Sequence, residues 1–164
     1  MDHEQLRLGR DLIDVMRAGV TIAIERGAQF VAPPHLLLAL LDDARVGPAI
    51  APLVRSERIG LAATDAAKKL PEVYEVPEGP LPEGERLAFQ RYDTLAFRSR
   101  DGARTLYLDA DAYHLFLEGA RRAGETYHPK HLVMGFTAES VKDRDLLSMI
   151  GPDPARVTMS VSEL

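Results

Sequence analysis

Apolar positions near the amino terminus recur with the period of a helix. Leu12, Val15, Met16, Gly19, Val20, Ala23 and Ile24 share one face of a segment that also carries Asp11 and Asp14, the pattern of an amphipathic helix with one buried stripe. Small Gly19 and Ala23 lie a turn apart on that stripe, so a partner helix is predicted to approach closely there. Gly27 is placed to end the helix, because glycine takes the left-handed conformation of a terminus without steric cost. Pro33 and Pro34 suit the first turn of a second helix, His35 to Asp42, where proline's missing N–H costs nothing. Its run Leu36 to Leu41 is apolar nearly all round and predicts a central buried helix. Further helices are expected around Pro48 to Val54 and Leu61 to Leu70.

The same pattern then occurs again. Ala23 and Gly27 precede Val31-Ala32-Pro33-Pro34-His35, and Ala120 and Gly124 precede Tyr127-His128-Pro129-Lys130-His131, followed by the apolar Leu132 to Phe136. The two histidines lie 96 residues apart, and at that offset Ile50, Leu53 and Val54 fall on Leu146, Met149 and Ile150. Such a repeat predicts two supersecondary units, each burying its apolar face against the other. In the second unit Asp109 is placed to cap a helix running to about Ala123, with Leu115, Phe116, Gly119 and Ala120 facing inward. Helices over His131 to Phe136 and Lys142 to Ile150 complete it. Gly151-Pro152-Asp153-Pro154 is a stop, after which the last ten residues are expected to form a short helix or fray. The expected organisation is a single domain, with one repeat at 1–70, a linker and insertion at 71–108, and a second repeat at 109–164.

Between the repeats, Pro71 to Gly84 holds four prolines and two glycines among acidic residues, the composition of a surface linker. Leu95 to Ser99 and Arg104 to Leu108 alternate in character around Arg100-Asp101-Gly102-Ala103, and Asp-Gly between such runs predicts a β-hairpin. Tyr74, Phe89, Tyr92 and Phe97 are expected to pin this insertion onto the bundle, with an exposed anchor for a partner as the alternative. Arg98, Arg100 and Arg104 flank the turn, either as a solvated surface or as a contact for an acidic partner.

Composition narrows the chemistry. A chain of 164 residues with 46% hydrophobic and 27% charged content is long enough for one core. Its net charge of -5 lacks the basic face by which proteins neutralise phosphates, so no nucleic-acid partner is expected. With no cysteine, disulfides, thiolate metal sites and cysteine nucleophiles are excluded, and a reducing compartment fits. The first thirty residues are interrupted by Asp2, Glu4, Arg7, Arg10, Asp11 and Asp14, unlike a signal peptide. No run of eighteen apolar residues suggests a membrane span, and the expected location is cytoplasmic. His128-x-x-His131 offers two metal ligands without a convincing third. His35 and His131 are therefore read as residues that cap and pack their helices, and His128 as a loop residue. Asp109, Asp111 and Glu118 are read as caps and dipole partners. There is no Gly-x-Ser-x-Gly elbow and no Gly-x-x-x-x-Gly-Lys-Ser/Thr phosphate loop. No catalytic residue, cofactor or metal is expected.

Ala23-x-x-x-Gly27, then Phe30-Val31-x-x-x-His35-Leu-Leu-Leu-Ala-Leu-Leu, then a helix ending before Ile59-Gly60-Leu61, resembles the double Clp-N repeat, the amino-terminal domain of the Clp unfoldases. The resemblance covers Asp11 to Leu70 and, more loosely, Asp109 to Val157, where Gly135 and Thr137 depart from the pattern. It implies an all-α, pseudo-twofold bundle of two four-helix repeats that binds peptides, unfolded segments or adaptor proteins and has no catalytic activity. Without a phosphate loop, the chain resembles a free-standing recognition domain that lacks its AAA+ motor. Some family members read phosphorylated arginine through an acidic residue just before each helix-opening histidine. Pro34 and Lys130 stand at those positions here, so that route is not expected.

The expected function is that of a non-catalytic protein-binding module, an adaptor or substrate-recognition accessory of a Clp ATPase or protease. The alternatives are a structural or regulatory subunit that docks on a Clp complex and recognises no substrate and, as a distant third, an enzyme on the same scaffold. Its partners would be a Clp subunit or unfolded clients, with the chain itself a monomer or weak homodimer. The expected contacts are Phe30, Val31, Pro33 and Pro34 on the first lead-in, Tyr127 and Lys130 on the second, and Phe97, Arg98, Arg100 and Arg104 on the hairpin. If the helix opened by His35 is central, Leu40→Asp buries an unpaired charge and costs several kcal/mol. Its thermal melt should lose the wild-type transition, and an unshifted melt would refute the assignment.

Overall fold

The computed structural model describes residues 5–68, 86–88, 95–138, 148–151 and 153–164. Helix α1 (Arg10–Glu25) buries Leu12, Val15, Met16, Ala18, Gly19, Val20 and Ala23, the stripe read from the sequence. It ends at Gly27, whose φ is 76°. There the Gly27 N–H donates to the Ile24 carbonyl and the Ala28 N–H to that of Ala23, both at 2.9 Å, the paired bonds of a Schellman terminus. Helix α2 (Pro33–Asp42) starts at the two prolines and runs through the middle of the bundle, with Leu36 and Leu40 fully buried. It crosses α1 closely, since a Cβ on Gly19 would lie 2.9 Å from Leu36 Cδ2.

Helices α3 (Val46–Ile50) and α4 (Ser56–Ala66) complete the first unit, and both start earlier than expected. For α3 the cause is Asp43, whose carboxylate accepts the Arg45 and Val46 N–H groups. For α4 it is tertiary: the Arg55 N–H donates to the Met149 carbonyl at 2.9 Å, which fixes the turn just before Ser56. The expected end of α4 at Leu70 lies outside the described residues, as do the linker over 71–84 and the aromatics Tyr74, Phe89 and Tyr92.

In the second unit α5 (Ala110–Arg122) is capped by Asp109, whose carboxylate accepts the Ala112 N–H at 2.7 Å. Helix α6 (Pro129–Phe136) follows, then a helical turn at 148–150. Most of the helix expected over Lys142 to Ile150 lies outside the described residues. The last segment is ordered as α7 (Pro154–Ser162), with Asp153 as its cap, which settles the choice between helix and fraying. Helices α5 and α6 cross backbone on backbone. A Cβ on Gly135 would lie 2.6 Å from the Leu115 carbonyl and 2.7 Å from the Gly119 nitrogen.

The strands are short, and the architecture is all-α with a small β component. The expected hairpin is present as β3 (Ala96–Arg98) against β4 (Thr105–Tyr107), with Phe97 opposite Leu106 and Gly102 in the turn at φ 72°. Three further strands were not foreseen: β1 (Gln5–Leu8), β2 (Arg86–Ala88) and β5 (Thr126–Tyr127). They form one sheet in the order β2-β1-β5, with β1 antiparallel to β2 and parallel to β5.

The pairing couples the two units reciprocally. Leu8, just before α1, pairs with Tyr127, just before α6, and the Gly9 N–H donates to the Tyr127 carbonyl at 2.9 Å. Leu108, just before α5, forms a parallel bridge with Val31, just before α2. There the Asp109 N–H donates to the Val31 carbonyl and the Val31 N–H to that of Tyr107, each at 2.9 Å. The lead-in to each unit's first helix thus pairs with the lead-in to the other unit's second helix. One core spans both, from Leu12, Met16, Leu36, Leu40, Ile50 and Ile59 to Phe97, Phe116, Tyr127 and Phe136.

Because the α5–α6 crossing leaves no room for a methyl group, Gly135→Ala should cost about 1–3 kcal/mol. Gly124→Ala, where a Cβ meets nothing within 4 Å, should stay within about 0.5 kcal/mol of wild type. Urea denaturation of the two variants checks the contrast, and equal effects would contradict it.

Candidate partner-binding surface

Half of the residues expected at the surface are interior. Val31 has no exposed surface, and Pro33 and Pro34 are buried, because the bridge to Leu108 draws this lead-in against the other unit. Tyr127 is likewise fully buried. Its ring lies 4.8 Å from that of Phe116, and its hydroxyl donates to the Phe116 carbonyl at 2.7 Å. Burial pushes its phenol pKa well up. Phe97 is fully buried too, its ring 6.0 Å from Phe116, so it pins the hairpin to the bundle rather than standing out as an anchor. These five are corrected from contact residues to core residues. Phe30 and Lys130 are half-buried, and the Lys130 ammonium donates to the Leu164 carbonyl at 3.2 Å.

The hairpin arginines remain at the surface: Arg98, Arg100 and Arg104 are all exposed. Their turn is held firmly. The Asp101 carboxylate accepts the Ser99 hydroxyl and the Ala103 N–H, and these bonds hold its pKa below the usual carboxylate value. The Arg100 N–H donates to Thr21 Oγ1 on α1 at 2.9 Å, while its guanidinium lies 3.8 Å from Asp42 in an open, weak pair. A rigid turn thus presents cationic side chains on the flank of α1.

Both repeat histidines behave as expected, by a device the sequence did not reveal. Each stands third in its helix and turns back so that Nδ1 accepts the N–H of the capping residue. His35 accepts from Ala32 and His131 from His128, both at 2.9 Å. This is the return half of a capping box. With Nδ1 accepting, His35 carries its proton on Nε2, which donates to the Ala63 carbonyl at 3.0 Å. Burial lowers the His35 pKa and the Arg26 charge lowers it further, against the pull of the Ala63 carbonyl. Burial likewise lowers His131 to about 4, helped by Lys130 and His128 and opposed by Asp11.

His128 is more than a loop residue. It caps α6, and its Nδ1 lies 3.0 Å from both oxygens of Asp11 in the first turn of α1. That contact spans 117 residues of sequence. Glu118 also differs from its reading as a helix-start carboxylate. It sits near the end of α5, buried, with Arg121 at 2.7 Å and Arg122 at 2.9 Å. Burial pushes its pKa up, but the Arg122 hydrogen bond and the Arg121, Arg122 and His114 charges outweigh this and leave it lowered. Alternation of apolar residues with an i+3/i+4 arginine pair is the one sequence signal that points to it.

A scan against known protein families finds no match, and no curated protein matches. Among solved structures, the chain is similar to the N-terminal domain of the caseinolytic protease associated chaperone ClpD from Arabidopsis thaliana. The two share 15% identity with a TM-score of 0.54, over 98% of this chain and 94% of that one. The chain has the fold of a Clp amino-terminal domain. Within this Clp N-domain fold, the lead-ins to α2 and α6 serve the seam between units, and the hairpin turn stands outside it. Among the described residues, no helix is long and apolar enough to cross a membrane.

Tyr127 tests this description of the seam. Tyr127→Phe removes the hydroxyl's bond to the buried Phe116 carbonyl within α5 and should cost about 0.5–1.5 kcal/mol. Chemical denaturation of the variant checks this, and an unchanged midpoint would contradict the role given to the hydroxyl.

Proposed function

We propose that this chain is a non-catalytic protein-binding module, an adaptor or substrate-recognition accessory of a Clp ATPase or protease in the cytoplasm. The likeness of its fold to the ClpD N-terminal domain, over nearly the whole of both chains, carries the reading. In this reading residues 1–164 form one domain of two Clp-N units, 1–70 and 109–164, separated by the insertion at 71–108. These 164 residues hold no phosphate loop, which fits a recognition module that does not itself bind ATP by that motif. Binding centres on the hairpin turn, where Arg98, Arg100 and Arg104 meet acidic side chains of the partner, with Phe30 and Lys130 at the margins of the surface. Exposed charges of this kind contribute more to the association rate and to selectivity than to affinity.

The burial of Val31, Pro33, Pro34 and Tyr127 favours a second reading, a subunit that docks on a Clp ring through the charged turn and receives no unfolded client. The two readings separate in one experiment. The purified chain is titrated against a purified Clp ATPase ring and, separately, against a labelled unfolded polypeptide. Binding to both supports substrate recognition, and binding to the ring alone supports docking. Under either reading the double variant Arg100→Glu, Arg104→Glu should weaken association at least about tenfold and steepen the loss at low salt, with an unchanged melting temperature. Binding to neither would overturn both.

A further inference from the structure

The lead-ins to α2 and α6 place a titratable group beside each backbone junction between the units. Ala32 and His128 cap their helices, and the residues just before them, Val31 and Tyr127, carry the bonds to the opposite unit. Each capping N–H is satisfied by an imidazole Nδ1, of His35 or His131, at 2.9 Å. That bond exists only while Nδ1 has a free lone pair. A protonated imidazole donates from both nitrogens, so the proton on Nδ1 would point at the capping N–H. The bond would become a contact between two donors inside the protein, and the ring would have to leave its site.

We propose that His35 and His131 form a paired acid-release latch: as neutral imidazoles they hold both junctions between the two units closed, and their protonation opens them. The surrounding charges act in the same sense. Arg26 of α1 opposes a cation at His35, and only the Ala63 carbonyl favours it. Lys130 and His128 oppose one at His131, where the Asp11 carboxylate favours it and the Tyr127 ring stands edge-on with centroids 6.2 Å apart.

His128 also faces this site, its ring 5.9 Å from that of His131, and its Nδ1 meets the Asp11 carboxylate in a pair whose side chains are 45% and 41% exposed, where solvent screens the contact.

The pH window follows from linkage. Opened lead-ins bind protons near the ordinary histidine value, about 6.5, whereas His131 in the closed state resists protonation down to about 4. The closed state is fully stable above the upper value and loses stability as pH falls through the interval. The opening equilibrium at the α6 junction should rise about tenfold per pH unit between those limits, and that at the α2 junction in the same direction.

Amide hydrogen exchange on the full chain reads both junctions. After correction for intrinsic rates, protection of the Val31, Ala32, Gly9 and His128 amides should fall as pH is lowered from 7 towards 4. Protection at the Schellman bonds of α1 should fall less. Glutamine can reach back to the capping N–H but cannot titrate, so His131→Gln should flatten the pH dependence at Gly9 and His128 while leaving that at Val31 and Ala32. His35→Gln should do the reverse. Because His35→Gln loses the Ala63 bond and is the variant more prone to misfold, the wild-type imidazole nitrogens are also followed by NMR. Nδ1 should be unprotonated in both rings at pH 7, with the His131 midpoint well below 6.5. Junction protection that does not change with pH, or a His131 midpoint near 6.5, would overturn the latch.

Discussion

The fold depends on two backbone contacts that run between its halves: the Gly9 N–H on the Tyr127 carbonyl and the Asp109 N–H on the Val31 carbonyl. Buried peptide groups must find partners, and here each half finds them on the other. Taken alone, neither half could satisfy the lead-in to its second helix, because the strand that pairs with it belongs to the opposite half. The seam is closed further by the Arg55 N–H on the Met149 carbonyl and by packing of α3 on α7. Cooperativity between the units is therefore built into the backbone as well as into the shared apolar core.

Given that constraint, the halves fill equivalent space with different residues. At the 96-residue offset, Val20, Ala23, Val31 and Ala39 of the first unit correspond to Phe116, Gly119, Tyr127 and Gly135 of the second. Where the second unit carries two aromatic rings in place of two valines, it carries two glycines in place of two alanines, which gives back part of the added volume. Tyr127 lies over Gly119, and Gly135 lets the α6 backbone meet that of α5. A dense interior accepts a larger ring only where neighbouring residues make room for it. The same aromatic cluster takes in Phe97, so the hairpin is a piece of the second unit's core as well as an appendage. That is why its turn is rigid enough to display arginines at a fixed place on α1.

Burial of the lead-ins separates structure from interaction. Residues that read as apolar contacts on a loop are consumed by the seam, and the surface left beside them is polar and charged. The helix-opening histidines belong to the same economy of space. A side chain that satisfies a cap from inside the protein must do so without charge, since desolvation penalises the cation.

How much was legible beforehand follows the range of the forces involved. The buried stripe of α1, its end at Gly27, the buried α2, the Asp109 cap and the Asp-Gly hairpin turn are set by residues within a few positions of each other, and all were readable. The 96-residue repeat was equally open to inspection and led to the right fold class. Strands β1 and β5 were not readable, because two to four residues become a strand only when a partner supplies their hydrogen bonds. The early start of α4, the Asp11–His128 contact and the interior positions of Val31, Phe97 and Tyr127 were hidden for the same reason. The sequence by itself determined which segments are helical and which faces are apolar, since propensity and periodicity act locally. Only the tertiary structure decided which half closes over which lead-in, because long-range pairing and burial depend on neighbours that adjacent residues do not specify.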